Sequence, residues 1–118
     1  MIEAAATLAR PAVPRLDPGS AEPLPLADLA RLWQSLRDEA DSYDIPYEQC
    51  CVACDLSHEI EDRMLAAPVR SHADVAAFMD AYARHLRDLN AGNVPFRFDD
   101  DALGALIARI AAYLRQNA

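Results

Sequence analysis

Three thiols and an imidazole crowd one short stretch of the chain: Cys50, Cys51, Cys54 and His58. Sulfur and imidazole are the ligands that zinc, copper and iron favour. On a helix, where each residue turns by about 100°, Cys51, Cys54 and His58 form a compact patch. A metal centre built on these three, with Cys50 as a further ligand, is one reading. The usual structural zinc site, however, takes paired cysteines from two separate segments, and no second pair exists here. A fourth ligand has to come from His85, a carboxylate, water or another subunit. Thiol redox chemistry is the neighbouring reading. The run Cys51-Val52-Ala53-Cys54 has the spacing of dithiol oxidoreductases. Those motifs open a helix that follows a strand, whereas this one lies inside a helix. The reading that outweighs both treats the cysteines as small hydrophobes beside a hydrogen-bonded histidine, with no cofactor.

Carboxylates offer less. Asp55, Glu59 and Asp62 share one flank of the same helix. A di-iron bundle needs repeated Glu-x-x-His pairs on neighbouring helices, and the chain has none. This flank reads as a solvated charged face. Phosphate loops, nucleophile elbows, dinucleotide fingerprints and paired-histidine zinc motifs are also missing. The triple acid Asp99 to Asp101 lacks the glycine and closing glutamate of a calcium loop, so it reads as a helix start.

The element that positions the thiols is a helix over Pro46 to Ala67. Val52, Ala53, Leu56, Ile60 and Met64 fall on one side, which is predicted to be core. Tyr47, Cys51, Cys54, His58 and Leu65 fall on roughly the opposite side, with Glu61 among them. A second stripe with apolar members predicts contact with a second neighbour, so these five residues are the expected interface. The segment is expected to be a middle helix, covered on both sides by protein.

The rest of the chain supplies the covering. Of 118 residues, 1–24 form a Pro-rich arm, flexible or laid on a partner, and 25–118 a helical domain. A first helix runs from Leu26 to about Ser42, with Leu29, Trp33, Leu36, Ala40 and Tyr43 inward and Trp33 as core anchor. Asp44 and Pro46 read as a turn into the cysteine helix, with Asp44 a candidate cap, and Pro68 as its end. Ser71, with Asp74 three residues on, marks the next helix start as a capping box with a shorter acid. That helix presents Val75, Phe78, Met79, Tyr82, Leu86 and Leu89, leaves Arg84 and Arg87 solvated with His85 near them, and stops at Gly92. A loop from Asn93 to Phe98 brings Phe96 and Phe98 under the core, with room for a short strand at Val94 to Phe96. The last helix carries Leu103, Leu106, Ile107, Ile110, Tyr113 and Leu114. Its Gly104 is read as a close approach to a neighbouring helix. The predicted fold is therefore all-α, a small antiparallel four-helix bundle with an arm.

Composition narrows function. The net charge is −8, the pI is near 4.6, and every one of the 11 basic residues is arginine. That balance opposes nonspecific binding to nucleic acid. A helix-turn-helix reading is weakened further because His72, Ala73 and Asp74 lack the side chains that read bases. No run of 18 apolar residues and no leader pattern is present, which predicts a cytoplasmic protein with free thiols. Alanine inflates the hydrophobic fraction of 53%, so the core is thin and a partner chain is expected to complete it.

The segment from Asp55 to Met79, with its Ala67-Pro68 helix end and Ser71 cap, resembles the helix joints of short helical proteins from alphaproteobacterial genomes and prophages. Leu65 and Val75 also carry the likeness. It implies a helical joint and no activity. The expected function is a small acidic, non-catalytic binding or accessory protein, of phage or prophage type, working through a protein partner or self-association. The alternative is the metal or thiol protein of the Cys50/Cys51/Cys54/His58 cluster.

Overall fold

The computed structural model describes residues 23–42, 44–92 and 98–118. The expected arm up to residue 22, the inward Tyr43, and the expected strand and Phe96 fall outside these residues. Four helices follow in order: α1 (Leu26–Ala40), α2 (Tyr47–Ala66), α3 (His72–Asn90) and α4 (Asp100–Gln116). No strand occurs among the described residues, so the fold is an all-helical bundle.

The boundaries follow from local chemistry. Pro25 and Pro46 stand just before α1 and α2 in extended conformation, where a missing N–H costs nothing. Ser71 Oγ accepts from Asp74 N at 3.1 Å and starts α3. Asp99 Oδ2 accepts from Ala102 N at 2.8 Å and starts α4. Gly92 takes φ 75° after α3, a left-handed turn that L side chains resist. Asp44 does not cap α2: no side chain does, and Asp44 N instead donates to Ser42 Oγ.

The hub is α1, not the cysteine helix. It packs against both α2 and α3, while α2 also meets α4. Side-chain bonds give the directions. Trp33 reaches Glu61, and Glu39 reaches Gln49, so α1 and α2 are antiparallel. Asp74 meets Ala27 and Arg84 meets Asp38, so α1 and α3 run parallel. His72 meets Tyr113 across the far end, so α4 returns antiparallel to α3. Trp33, Leu36, Ile60, Met64, Phe78 and Leu106 are sealed from solvent together. Phe98 closes this core as expected, its ring edge-on to Trp33 at 5.6 Å.

Several predicted faces are rotated. Val52 is 57% exposed, and Ala53 and Ser57 take the inward positions beside Ile60 and Met64. On α3 the buried line is Asp74, Phe78, Ala81 and His85, which leaves Met79 and Leu86 largely in solvent. Arg84 is not solvated: it donates to Gln34 O at 3.0 Å and to the carboxylates of Asp38, Asp41 and Asp88. On α4 only Leu106 and Ile110 are buried, while Ile107 and Leu114 are exposed. Gly104 marks no close approach, since a Cβ there would meet nothing within 4 Å.

Two polar clamps hold the helices in place. The buried Asp74 carboxylate accepts from Ala27 N and from Arg70 N, both at 2.9 Å. It does not close a capping box onto Ser71, because its short side chain points out of its own turn toward α1. It thus satisfies an orphan donor in the first turn of α1. The Arg109 guanidinium donates to Leu65 O at 2.6 Å and Ala67 O at 2.9 Å, which ties α4 to the last carbonyls of α2.

Asp74→Ala leaves the Ala27 N–H buried and unmatched, and is expected to cost about 2–4 kcal/mol in urea unfolding. Arg109→Ala is expected to cost about 1–3 kcal/mol. In that variant, amide exchange should accelerate in α4 before the rest of the chain.

Candidate functional site

Cys54, His58 and Glu61 stand four and three residues apart on α2, so successive turns bring their side chains onto one line. The line is connected. Cys54 Sγ lies 3.6 Å from His58 Nε2, and His58 Nδ1 lies 3.4 Å from Glu61 Oε1. Glu61 Oε2 accepts from Trp33 Nε1 at 2.9 Å. The carboxylate is thus held from α1 while it faces the imidazole.

A second group from α1 reaches the sulfur. Arg37 stands one turn after Trp33, so both point toward α2. Its Nη1 is 3.7 Å from Cys54 Sγ and 3.3 Å from Ser57 Oγ, and its Nη2 is 3.6 Å from Asp41 Oδ1. Ser57 in turn donates to Cys54 O at 2.7 Å. The Arg37 side chain is only 8% exposed, against 31% for His58 and 18% for Glu61. A buried guanidinium and an imidazole therefore meet at one partly exposed thiol, with the carboxylate on the far side of the imidazole.

The other thiols go elsewhere. Cys50 Sγ donates to Ser42 O at 3.5 Å. Cys51 stands one turn after Tyr47, which is 80% exposed. Cys51, as a hydrogen-bonding group first and a negative charge second, holds the Tyr47 hydroxyl above its ordinary pKa. Among the described residues, no three His, Cys, Asp or Glu side chains converge in a way that could hold a metal ion. The cluster read from the sequence is thus divided. Cys54 and His58 come together, Cys51 turns to Tyr47, and Cys50 turns to the α1–α2 connector. Leu65, the last of the mixed side, is buried in the chain's own core.

Sequence reading missed Arg37, Trp33 and Glu61 as parts of this arrangement. A signal for Glu61 was present, because an acid three residues after His58 sits on the same helical line. The α1 partners show themselves only in the folded packing.

A second feature lies between α3 and α4. Tyr82, His85, Leu86 and Leu89 face Phe98, Asp100 and Leu103 across a cavity of about 60 Å³. Its floor is Phe98 stacked on His85, with ring centroids 4.1 Å apart. On the same two helices Met79 is 47%, Leu86 42%, Ile107 45% and Leu114 41% exposed; Met79 stands two turns before Leu86, and Ile107 one turn after Leu103, so helix periodicity puts both on the faces that line the cavity. A shallower hollow of about 490 Å³ between α2 and α4 is lined by Asp62, Leu65 and Arg109 among others. Arg109 is already engaged there as a structural clamp. Among the described residues no helix is long and apolar enough to cross a membrane.

Comparison with protein-family models, curated proteins and solved structures finds no match to this chain.

Glu61→Ala removes the acceptor of the Trp33 indole and is expected to cost about 1–3 kcal/mol. Glu61→Gln keeps an acceptor oxygen and should cost less. Denaturant titration followed by the fluorescence of Trp33, the chain's one tryptophan, measures both.

Proposed function

We propose that this is a small, non-catalytic binding protein that receives an α-helix of a partner protein in the groove between α3 and α4. The observation that carries this reading is the open apolar ground formed by Met79, Tyr82, Leu86, Leu103 and Ile107. Large apolar side chains left in solvent along a concave path mark interaction sites. A groove walled by two antiparallel helices suits an amphipathic helix, whose apolar stripe lies along it.

Charge argues for the kind of helix. The chain carries −8, and Asp99, Asp100 and Asp101 stand exposed at the α4 end of the groove. Arg87 is the exposed basic residue at that end of α3. A helix with an apolar stripe and basic flanks complements this surface, whereas a second copy of the chain brings another −8 to it. The 17 residues of α4 span about 25 Å, a wall long enough for several turns of a partner helix.

The test uses two model peptides with the same leucine stripe, one flanked by arginine and one by glutamate. Calorimetry should show binding of the arginine peptide alone. Backbone amide shifts should then concentrate at Met79, Tyr82, Leu86, Leu103 and Ile107. Leu86→Gln with Ile107→Gln should weaken binding by about tenfold or more. Equal binding of both peptides, or shifts confined elsewhere, would overturn the reading. A dimer in light scattering that the same two substitutions dissolve would replace the partner helix with a second copy.

A further inference from the structure

The docking reading leaves one part of the molecule unused. It is the polar assembly around Cys54, built from two helices and anchored by a buried guanidinium. We propose that Cys54 is a hydroperoxide-reactive thiol, with His58 as its proton acceptor, Glu61 as a positioning residue and Arg37 as the cation beside the reacting sulfur.

The chemistry follows from what faces the sulfur. The thiolate is the nucleophilic form of cysteine, and it needs a base to take its proton. His58 Nε2 is that base, 3.6 Å from Sγ. Glu61 at Nδ1 fixes the ring with Nδ1–H toward the carboxylate, which leaves Nε2 as the acceptor. Trp33 holds Glu61 in turn. Arg37, almost wholly buried and tied to Ser57 and Asp41, presents N–H to the sulfur from the other side.

With hydrogen peroxide the step balances. His58 takes the thiol proton. The sulfur attacks one peroxide oxygen, the S–O bond forms and the O–O bond breaks. Hydroxide leaves with the bonding pair and takes the proton back from His58 as water. Cysteine is oxidised by two electrons to the sulfenic acid, and the peroxide is reduced to water. Arg37 sits where negative charge passes from sulfur to the departing oxygen. No metal or prosthetic group is required.

Cys50 and Cys51 are built-in comparators. All three thiols are partly exposed, and among the described residues only Cys54 has an imidazole and a guanidinium against its sulfur. The test treats the full chain with substoichiometric hydrogen peroxide, traps sulfenic acid with dimedone, and reads each cysteine by peptide mass spectrometry. Cys54 should carry about tenfold or more of the label found at Cys50 or Cys51. His58→Gln should slow Cys54 by about tenfold or more and leave the other two unchanged. Glu61→Gln should alter the pH profile of the Cys54 rate, which a loss of packing alone does not do. Even labelling of the three cysteines would overturn the proposal. So would an unchanged Cys54 rate in folded His58→Gln, with circular dichroism confirming the helix content.

Discussion

Everything in this fold rests on how α3 grips the two ends of α1. Helices that run parallel align their macrodipoles, which is the less favourable arrangement. Here Asp74 brings a buried negative charge to the N-terminus of α1, and Arg84 brings a positive one to its C-terminal carbonyl and acids. The two side chains stand ten residues apart on α3, about 15 Å, so they fix register as well as strength. With α1 held so, Trp33 and Arg37 are aimed at α2. The thiol assembly therefore depends on a helix pair that does not contain the thiols.

The position of Trp33 shows how tightly structure and site are coupled. Its ring lies against Phe98 and its N–H is bonded to Glu61, so one side chain closes the core and steadies the carboxylate. Glu61 could not lie partly buried without such partners, since an unmatched charge removed from water is costly. The mixed character of that side of α2, polar and apolar together, reflects its place at the edge of the interface with α1. It is neither a second dry core nor a surface waiting for a subunit along its whole length.

Much of this was legible from punctuation. Pro25, Pro46, Pro68, Ser71, Gly92 and Asp99 mark helix limits, and the helices begin and end beside them. Faces were harder. On α3, counting apolar residues places Met79 and Leu86 inside, but Asp74 and His85 take buried positions because the fold gives each a specific partner or ring to meet. On α2, Val52 is exposed while Ser57 is buried, with its hydroxyl accepting from Arg37 of α1. Such exchanges arise between helices and leave no trace in the periodicity of either one. The thiol cluster was visible in the sequence, and its division was not. Adjacent letters share a neighbourhood in sequence, yet a helix turns Cys50, Cys51 and Cys54 toward three different surroundings.

Arg37, Arg84 and Arg109 all place their charge within or across the bundle, and no lysine shares that work. A guanidinium stays protonated far into the alkaline range, where an ammonium group would already be losing its charge. Base therefore has no means of neutralising the cations that hold these helices together. Arg37 and Arg84 lean on carboxylates and so are open to acid through their partners, whereas Arg109 leans on backbone carbonyls, which neither acid nor base discharges.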